Sequence, residues 1–213
     1  MRIFGIILAG GQSRRMGTDK ALATLAGHSL LSHVLARFEP QVEALALSAN
    51  GDPARFAAFN LPVLPDTGLP DTGLSDTGLS DAGLPDAASH GPLSGILAAL
   101  LWAAPLGATA VVSVPVDGPF LPPDLVPRLC LAAGPDGPAL AASPNGLHPT
   151  FGLWPVSLAP ALATFLASGA KARVHDFAAA HGAGTAHFPD DLAFANANTA
   201  EDLARFAQIV TRP

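Results

Sequence analysis

An uninterrupted apolar run, Ile3-Phe4-Gly5-Ile6-Ile7-Leu8-Ala9, passes directly into Gly10-Gly11-Gln12-Ser13-Arg14-Arg15-Met16-Gly17-Thr18-Asp19-Lys20. A short continuous apolar run of this kind reads as a buried strand, here Arg2–Leu8. A strand that ends in a glycine turn lets the backbone approach an anion closely and aim its N–H groups at it. Arg14, Arg15 and Lys20 add positive charge where a triphosphate carries negative charge. The junction predicts a nucleotide loop. It is neither of the two commonest kinds. Five residues separate Gly11 from Gly17 and no Lys-Ser/Thr follows, so it is not a P-loop, and Gly-x-Gly-x-x-Gly is absent too.

Strand-like and helix-like segments alternate over the rest of the chain, which predicts a mostly parallel sheet covered by helices. Further strands are expected at Ala44–Ser48, Thr109–Val114, Ala139–Ala142 and Thr150–Trp154. Leu30, Leu31, Val34, Leu35 and Phe38 recur at helical spacing. Leu121-Pro122-Pro123-Asp124 opens another helix, with its prolines in the first turn. Thr199 and Asp202 form a capping-box pattern before a last helix whose buried face is Leu203, Phe206 and Val210.

With 213 residues, 49% of them apolar and 13% charged, the chain is expected to form one compact α/β domain, residues 1–213. The formal charge of -6 argues against general nucleic-acid binding. The single cysteine, Cys130, has no internal disulfide partner, and a reducing, cytoplasmic compartment is the simplest expectation. Gly95 to Val116 carries no charge over a length that could span a bilayer. Pro105 and Gly107 divide it into a helix, Leu93–Ala103, and a strand, so no membrane contact is expected.

Residues 65–86 behave differently. Pro65-Asp66-Thr67-Gly68-Leu69 recurs with small changes at 70–74, 75–79 and 80–84, and Pro85-Asp86 follows. A five-residue period is too short for a solenoid unit. Its Pro, Asp, Thr and Gly residues are turn formers, so the segment reads as a low-complexity surface-loop insertion.

The apolar run Thr109 to Val114 continues through Pro115-Val116 to Asp117-Gly118-Pro119. An aspartate at the carboxyl end of a strand lies where open α/β sheets bind ligands. A hard carboxylate oxygen there suits Mg²⁺, which takes one or two protein carboxylates plus phosphate oxygens. A turn or helix-capping aspartate before Pro119 is the plainer alternative for Asp117. Similarly, Asn50-Gly51-Asp52-Pro53 makes a good turn whatever else it does.

Leu8-Ala9-Gly10-Gly11-x-Ser13-x-Arg15-Met16-Gly17-x-x-Lys20 resembles the signature loop of nucleotidyltransferases that activate small molecules. Gly10-Gly11 and Asp19-Lys20 resemble most closely the molybdenum cofactor guanylyltransferases. Gly91-Pro92-Leu93-Ser94-Gly95, His148-Pro149-Thr150 and Asn196-Ala197-Asn198-Thr199-Ala200-Glu201-Asp202-Leu203 extend the resemblance, which runs from about residue 3 to 207.

The resemblance implies a Rossmann-like nucleotidyltransferase fold with a mostly parallel central sheet flanked by helices. It implies that Leu8, Ala9, Gly10 and Gly11 hold the triphosphate of GTP with Arg15 and Lys20, and that Asp117 binds Mg²⁺. It places a base-contacting aspartate before Gly91; Asp66 fits best, with Asp71 or Asp86 as alternatives set by the repeat register. Ser48 stands where the family commonly has Asn, and Asn50 matches the family's second Asn. A hydroxyl cannot reproduce an amide's paired hydrogen bonds, so base recognition here departs from the pattern. His148, Asn196 and Asn198 are the implied pterin contacts, although a structural histidine and a turn-ordering role for the two amides remain open. Lys171 and Arg173 either reach the pterin phosphate or are solvated.

The implied reaction transfers GMP from GTP to molybdenum-bound molybdopterin and releases pyrophosphate. The attacking phosphate is already ionised, so no general base is needed. Implied partners are cofactor-delivery proteins or apo-molybdoenzymes. Cytidylyltransferases on the same cofactor typically show Leu-Ala-Ala-Gly where this chain has Leu8-Ala9-Gly10-Gly11. A cytidylyl- or sugar-phosphate nucleotidyltransferase, or a silent nucleotide-binding protein, are the competing readings.

Overall fold

The computed structural model describes residues 1–10, 19–65, 91–168 and 173–211. Along the chain come β1 (Ile3–Leu8), β2 (Thr24–Leu25), β3 (His28–Ser29), α1 (Leu30–Phe38), β4 (Ala44–Ser48) and β5 (Val63–Leu64). They are followed by α2 (Pro92–Ala103), β6 (Ala110–Pro115), α3 (Leu125–Ala132), β7 (Ala139–Ser143) and β8 (Gly146–Pro155). The chain closes with α4 (Ala159–Ala167), α5 (Val174–Ala180), β9 (Gly184–His187) and α6 (Ala200–Val210). The repeat at 65–86, and with it Asp66, Asp71 and Asp86, lies almost wholly outside the described residues, as do Gly11, Arg15 and Lys171.

Among the described residues one seven-stranded sheet has the order β5-β4-β1-β6-β8-β7-β9. The β5-β4-β1-β6 and β7-β9 pairings are parallel, while β8 runs antiparallel to both neighbours. Alternation along each strand sorts side chains into two apolar layers. Ile3 and Ile7 of β1, Leu45 and Leu47 of β4, and Val112 and Val114 of β6 pack on one face with Leu31, Val34 and Phe38 of α1 and Leu125 and Leu129 of α3. Phe4, Ile6, Ala46 and Val111 face the other way, onto Ile96, Leu100 and Ala103 of α2 and Leu162 of α4. The continuous apolar runs expected for strands covered on both faces are therefore present. No described helix is long and apolar enough to cross a membrane.

Three local expectations are corrected. The strand expected at Thr150–Trp154 extends over Gly146–Pro155, because β7 supplies a partner on its far side. Pro122 and Pro123 precede α3, forming a turn closed by Leu125 N–H on the Pro122 carbonyl at 3.3 Å; Pro127 occupies the first turn instead. Val210 is exposed. The two-residue strand β2 that α6 covers is too short to reach its end, and Ile209 leans on the cluster in its place. Phe206 is fully buried there beside Leu25 and Leu30.

One buried polar contact pins β8 to β6. The Ser113 hydroxyl accepts from the Trp154 indole N–H at 2.9 Å and donates to the Thr150 carbonyl at 2.9 Å. Both side chains are wholly buried. Ser113→Ala leaves the indole donor unsatisfied and should destabilise the fold by about 1–3 kcal/mol. Urea unfolding would read this as a lower midpoint at unchanged slope.

Candidate functional site

The chain runs from β1 to β4 and β5 on one side, then crosses back to β6 on the other, so the order of connections reverses at β1. Open α/β sheets bind ligands outside the carboxyl ends of their strands at such a reversal. Leu8 is level with Ser48 of β4 and Pro115 of β6. Ala9 N–H donates to the Ser48 carbonyl at 2.8 Å, and Val116 N–H to the Leu8 carbonyl at 3.1 Å. Leu8, Ala9, Gly10, Ser48 and Asp117 thus share one rim, with Asn50 two residues past Ser48.

Gly95 brings the start of α2 against that rim. A β-carbon there would strike Ser48 Oγ and come within 2.9 Å of Leu8 Cδ2. Gly91, with φ at +56°, precedes Pro92 at the first helical position. This explains physically why Gly91-Pro92-Leu93-Ser94-Gly95 combines two glycines with a proline.

Lys20 opens a single 3₁₀ turn, Lys20–Leu22, for which Asp19 is the cap: Asp19 Oδ1 accepts from Ala21 N–H at 3.0 Å. From that turn Lys20 Nζ reaches Asp117 Oδ2 at 2.5 Å and Asn198 Oδ1 at 2.6 Å. Both members of the ion pair are largely shielded, with side-chain exposures of 18% and 17%. The Asn198 segment is anchored separately, by Ala197 N–H on the Asp117 carbonyl at 2.9 Å. Asp202 Oδ2 also accepts from Asn198 N–H at 3.0 Å and Thr199 N–H at 3.1 Å, completing the expected capping box. Two segments distant in sequence, the Lys20 turn and the stretch of Ala197 and Asn198, therefore converge on Asp117. Asn196 lies exposed on the same stretch and does not share that contact.

Arg55 was not anticipated. It donates to the Asn50 carbonyl at 2.7 Å and the Asp52 carbonyl at 3.3 Å, and its guanidinium covers the ring of buried Phe56 at 4.6 Å. Its Nε lies 2.7 Å from Asp19 Oδ2, an ion pair in which the buried Nε–H has no well-aligned acceptor. The loop after β4 is thereby fastened to the turn that carries Lys20.

A second cluster stands across β6. The β6–β8 register sets Ser113 opposite Gly152 and, continued, brings His148 toward the level of Asp117. His148 stacks on Phe194 with centroids 4.4 Å apart and planes 7° from parallel. Phe151 meets Phe194 edge-on and packs so closely behind Gly118 that a β-carbon there would fall 2.7 Å from its ring. His148 Nε2 is 2.7 Å from Ser143 Oγ, which is 2.5 Å from Asp191 Oδ1; Asn145 N–H donates to the same carboxylate oxygen at 2.9 Å. Burial lowers the His148 pKa, against an opposing pull from Asp191. The Ser143 hydroxyl, then Asn145 N–H, hold Asp191 below the usual carboxylate value. Ser143 and Asp191 had no local signal, since the hydrogen bond joins the end of β7 to a loop far along the chain.

Cys130 is half-buried and burial raises its thiol pKa, which leaves it a weak nucleophile. Among the described residues no group of three or more His, Cys, Asp or Glu side chains is arranged to hold a metal unaided.

Asp202 has its pKa lowered, first by the Asn198 N–H bond. The stability it contributes is therefore present above the ordinary carboxylate range and lost as pH falls through the lowered folded value. An Asp202→Asn variant should melt below the wild type near neutral pH, and the two melting curves should converge in acid.

The family model described as the MobA-like NTP transferase domain matches residues 5–184. A molybdenum cofactor guanylyltransferase of Cereibacter sphaeroides is 52% identical over 213 residues, covering 100% of this chain and 99% of that protein. The solved molybdopterin-guanine dinucleotide biosynthesis protein A of Archaeoglobus fulgidus has the same fold, with TM-score 0.66 and 18% identity over 98% of each chain. A manganese complex of a Mycobacterium tuberculosis protein is similar to the same degree, with TM-score 0.66 and 15% identity over 98% of this chain and 99% of that one. By that family match over residues 5–184 and that full-length similarity, this chain belongs to the MobA-like NTP transferase family.

Proposed function

We propose that the protein transfers GMP from GTP to molybdenum-bound molybdopterin, forming the guanine dinucleotide cofactor and pyrophosphate. The observation that carries this reading is the meeting of Asp117 and Asn198 on Lys20 at the carboxyl ends of β1 and β6. The full-length similarity to a protein named for that activity supports the choice of substrates. Cofactor-delivery proteins or apo-molybdoenzymes would receive the product.

In this reading an oxygen of the pterin's terminal phosphate attacks the α-phosphorus of GTP. The bond from that phosphorus to the bridging oxygen breaks, and pyrophosphate leaves. The attacking oxygen is already anionic, so no residue need remove a proton. The chain's part is to position and to neutralise charge. Backbone at Leu8, Ala9, Gly10 and Gly11 holds the phosphates, aided by Arg15 and Lys20. Ser48 and Asn50, on the β4 side of the site, meet the base, and Asp66, outside the described residues, is assigned to it by the sequence resemblance. Asn196, Asn198 and His148 lie on the acceptor side, with Lys171 and Arg173 available to the pterin phosphate.

Asp117 fits a divalent ion by its chemistry: it is a single carboxylate at the rim, and it already holds the Lys20 ammonium at 2.5 Å. One carboxylate suits Mg²⁺, which takes its remaining ligands from phosphate and water. When bound, such an ion would offset charge on the phosphate oxygens. Lys20 engages only Oδ2 of Asp117, so the other carboxylate oxygen is available to the ion while the lysine faces the triphosphate.

Asp117→Ala should abolish turnover while leaving the melting temperature close to wild type; near-normal turnover would remove Asp117 from the metal role. Lys20→Ala should weaken GTP binding about tenfold or more, the loss expected for a charge-assisted hydrogen bond. Thermal-shift titration with GTP or CTP, each with Mg²⁺, tests the base. A ligand at a hundred times its Kd stabilises by about 2.7 kcal/mol. A shift with GTP alone is expected, whereas a shift with CTP alone would transfer the assignment to a cytidylyltransferase.

A further inference from the structure

The hydrogen-bond chain through Ser143 has only one consistent arrangement of protons. Ionised Asp191 is acceptor-only, and Asn145 N–H already donates to its Oδ1. The Ser143 hydroxyl, 2.5 Å from that oxygen, must spend its single proton there. Ser143 Oγ can then only accept from His148 Nε2, which must carry a proton. Burial disfavours the imidazolium, so the second ring nitrogen is bare. That nitrogen, Nδ1, has no hydrogen-bonding partner among the described residues. The Phe194 stack and the Ser143 bond together fix the plane and rotation of the ring. The order of Ser, His and Asp is not that of a nucleophile triad, where the imidazole stands between the other two. This hydroxyl has no free proton to lose to a base and is no nucleophile.

We propose that Ser143 and Asp191 are positioning residues that hold His148 in its Nε2-protonated form, so that Nδ1 accepts a hydrogen bond from an N–H of the pterin ring of the acceptor substrate. The assignment rests on the function proposed above. Guanine carries the same amino-oxo edge as a pterin, so the ligand chemistry alone does not choose between the two substrates. Position does. Ser48 and Asn50 flank β1 on the β4 side, whereas His148 lies on β8, across β6 from them. The Phe194 ring that stacks on His148 also leads directly into the Asn196–Asn198 segment. A neutral acceptor of this kind discriminates against ligands lacking the donor, because an unpaired buried donor or acceptor is penalised on binding.

The test combines nitrogen-detected NMR of histidine-labelled full-length protein with steady-state kinetics on both substrates. The His148 signal is the one missing from His148→Gln. The wild type should show Nε2 protonated and Nδ1 bare at neutral pH. Asp191→Ala frees the Ser143 proton to point at Nε2, and the ring should change to the Nδ1-protonated form. Ser143→Ala should raise KM for the molybdopterin substrate about tenfold, with KM for GTP and the melting temperature little changed. Ser143→Thr, which keeps the hydroxyl, should restore it, and this pair carries the test even if Asp191→Ala does not fold. A wild type active in guanylyl transfer but protonated at Nδ1 would overturn the inference alone. So would an unchanged molybdopterin KM in Ser143→Ala, or a rise confined to GTP. A wild type with the expected tautomer but no guanylyl transfer would instead overturn the function, and with it the ligand assigned to His148.

Discussion

Lys20 meets Asp117 across a separation of 97 residues, and the shape of the rim depends on that contact. The two charges are largely shielded, and the cost of desolvating them offsets their attraction, so the pair is worth little as stability by itself. What it does is geometric. It holds the turn after the glycine loop against the end of β6, and through Asn198 it draws the last loop to the same point.

The layers beneath make this contact possible. β1 and β6 are buried on both faces, and their residues alternate between the α1–α3 layer and the α2–α4 layer. That burial fixes register, because a slip of one residue would exchange the two faces. Register in turn fixes height: Leu8 level with Ser48 and Pro115 leaves Asp117 just beyond the sheet. The antiparallel β8 then presents His148 at nearly the same height from the opposite chain direction.

Much of this was legible in the sequence because it is encoded locally. Ile3 to Lys20 carries strand, turn and charge in one contiguous stretch, and Thr199 with Asp202 spells out a helix start within four residues. Asp117 could be singled out because an apolar strand leads to it. What could not be read are partners joined only by the fold. Arg55 reaches Asp19, and Ser143 reaches Asp191, between elements with no common pattern. Val210 shows a related limit: helical periodicity assigns it to the buried face, but not how far the covering hairpin extends. Strands as short as β2, β3 and β9 likewise owe their existence to neighbours rather than to composition.

The Arg55 clamp has a consequence for how a nucleotide is judged. One end of it holds the carbonyls of Asn50 and Asp52, and the other holds the aspartate that caps the Lys20 turn. The loop after β4 and the turn that carries Lys20 are thus coupled, and a displacement of one is passed to the other. Under the function proposed above, with the base beside that loop and the phosphates beside Lys20, a wrong base would be rejected at the reacting end of the molecule, as slow transfer, and not solely as weak retention.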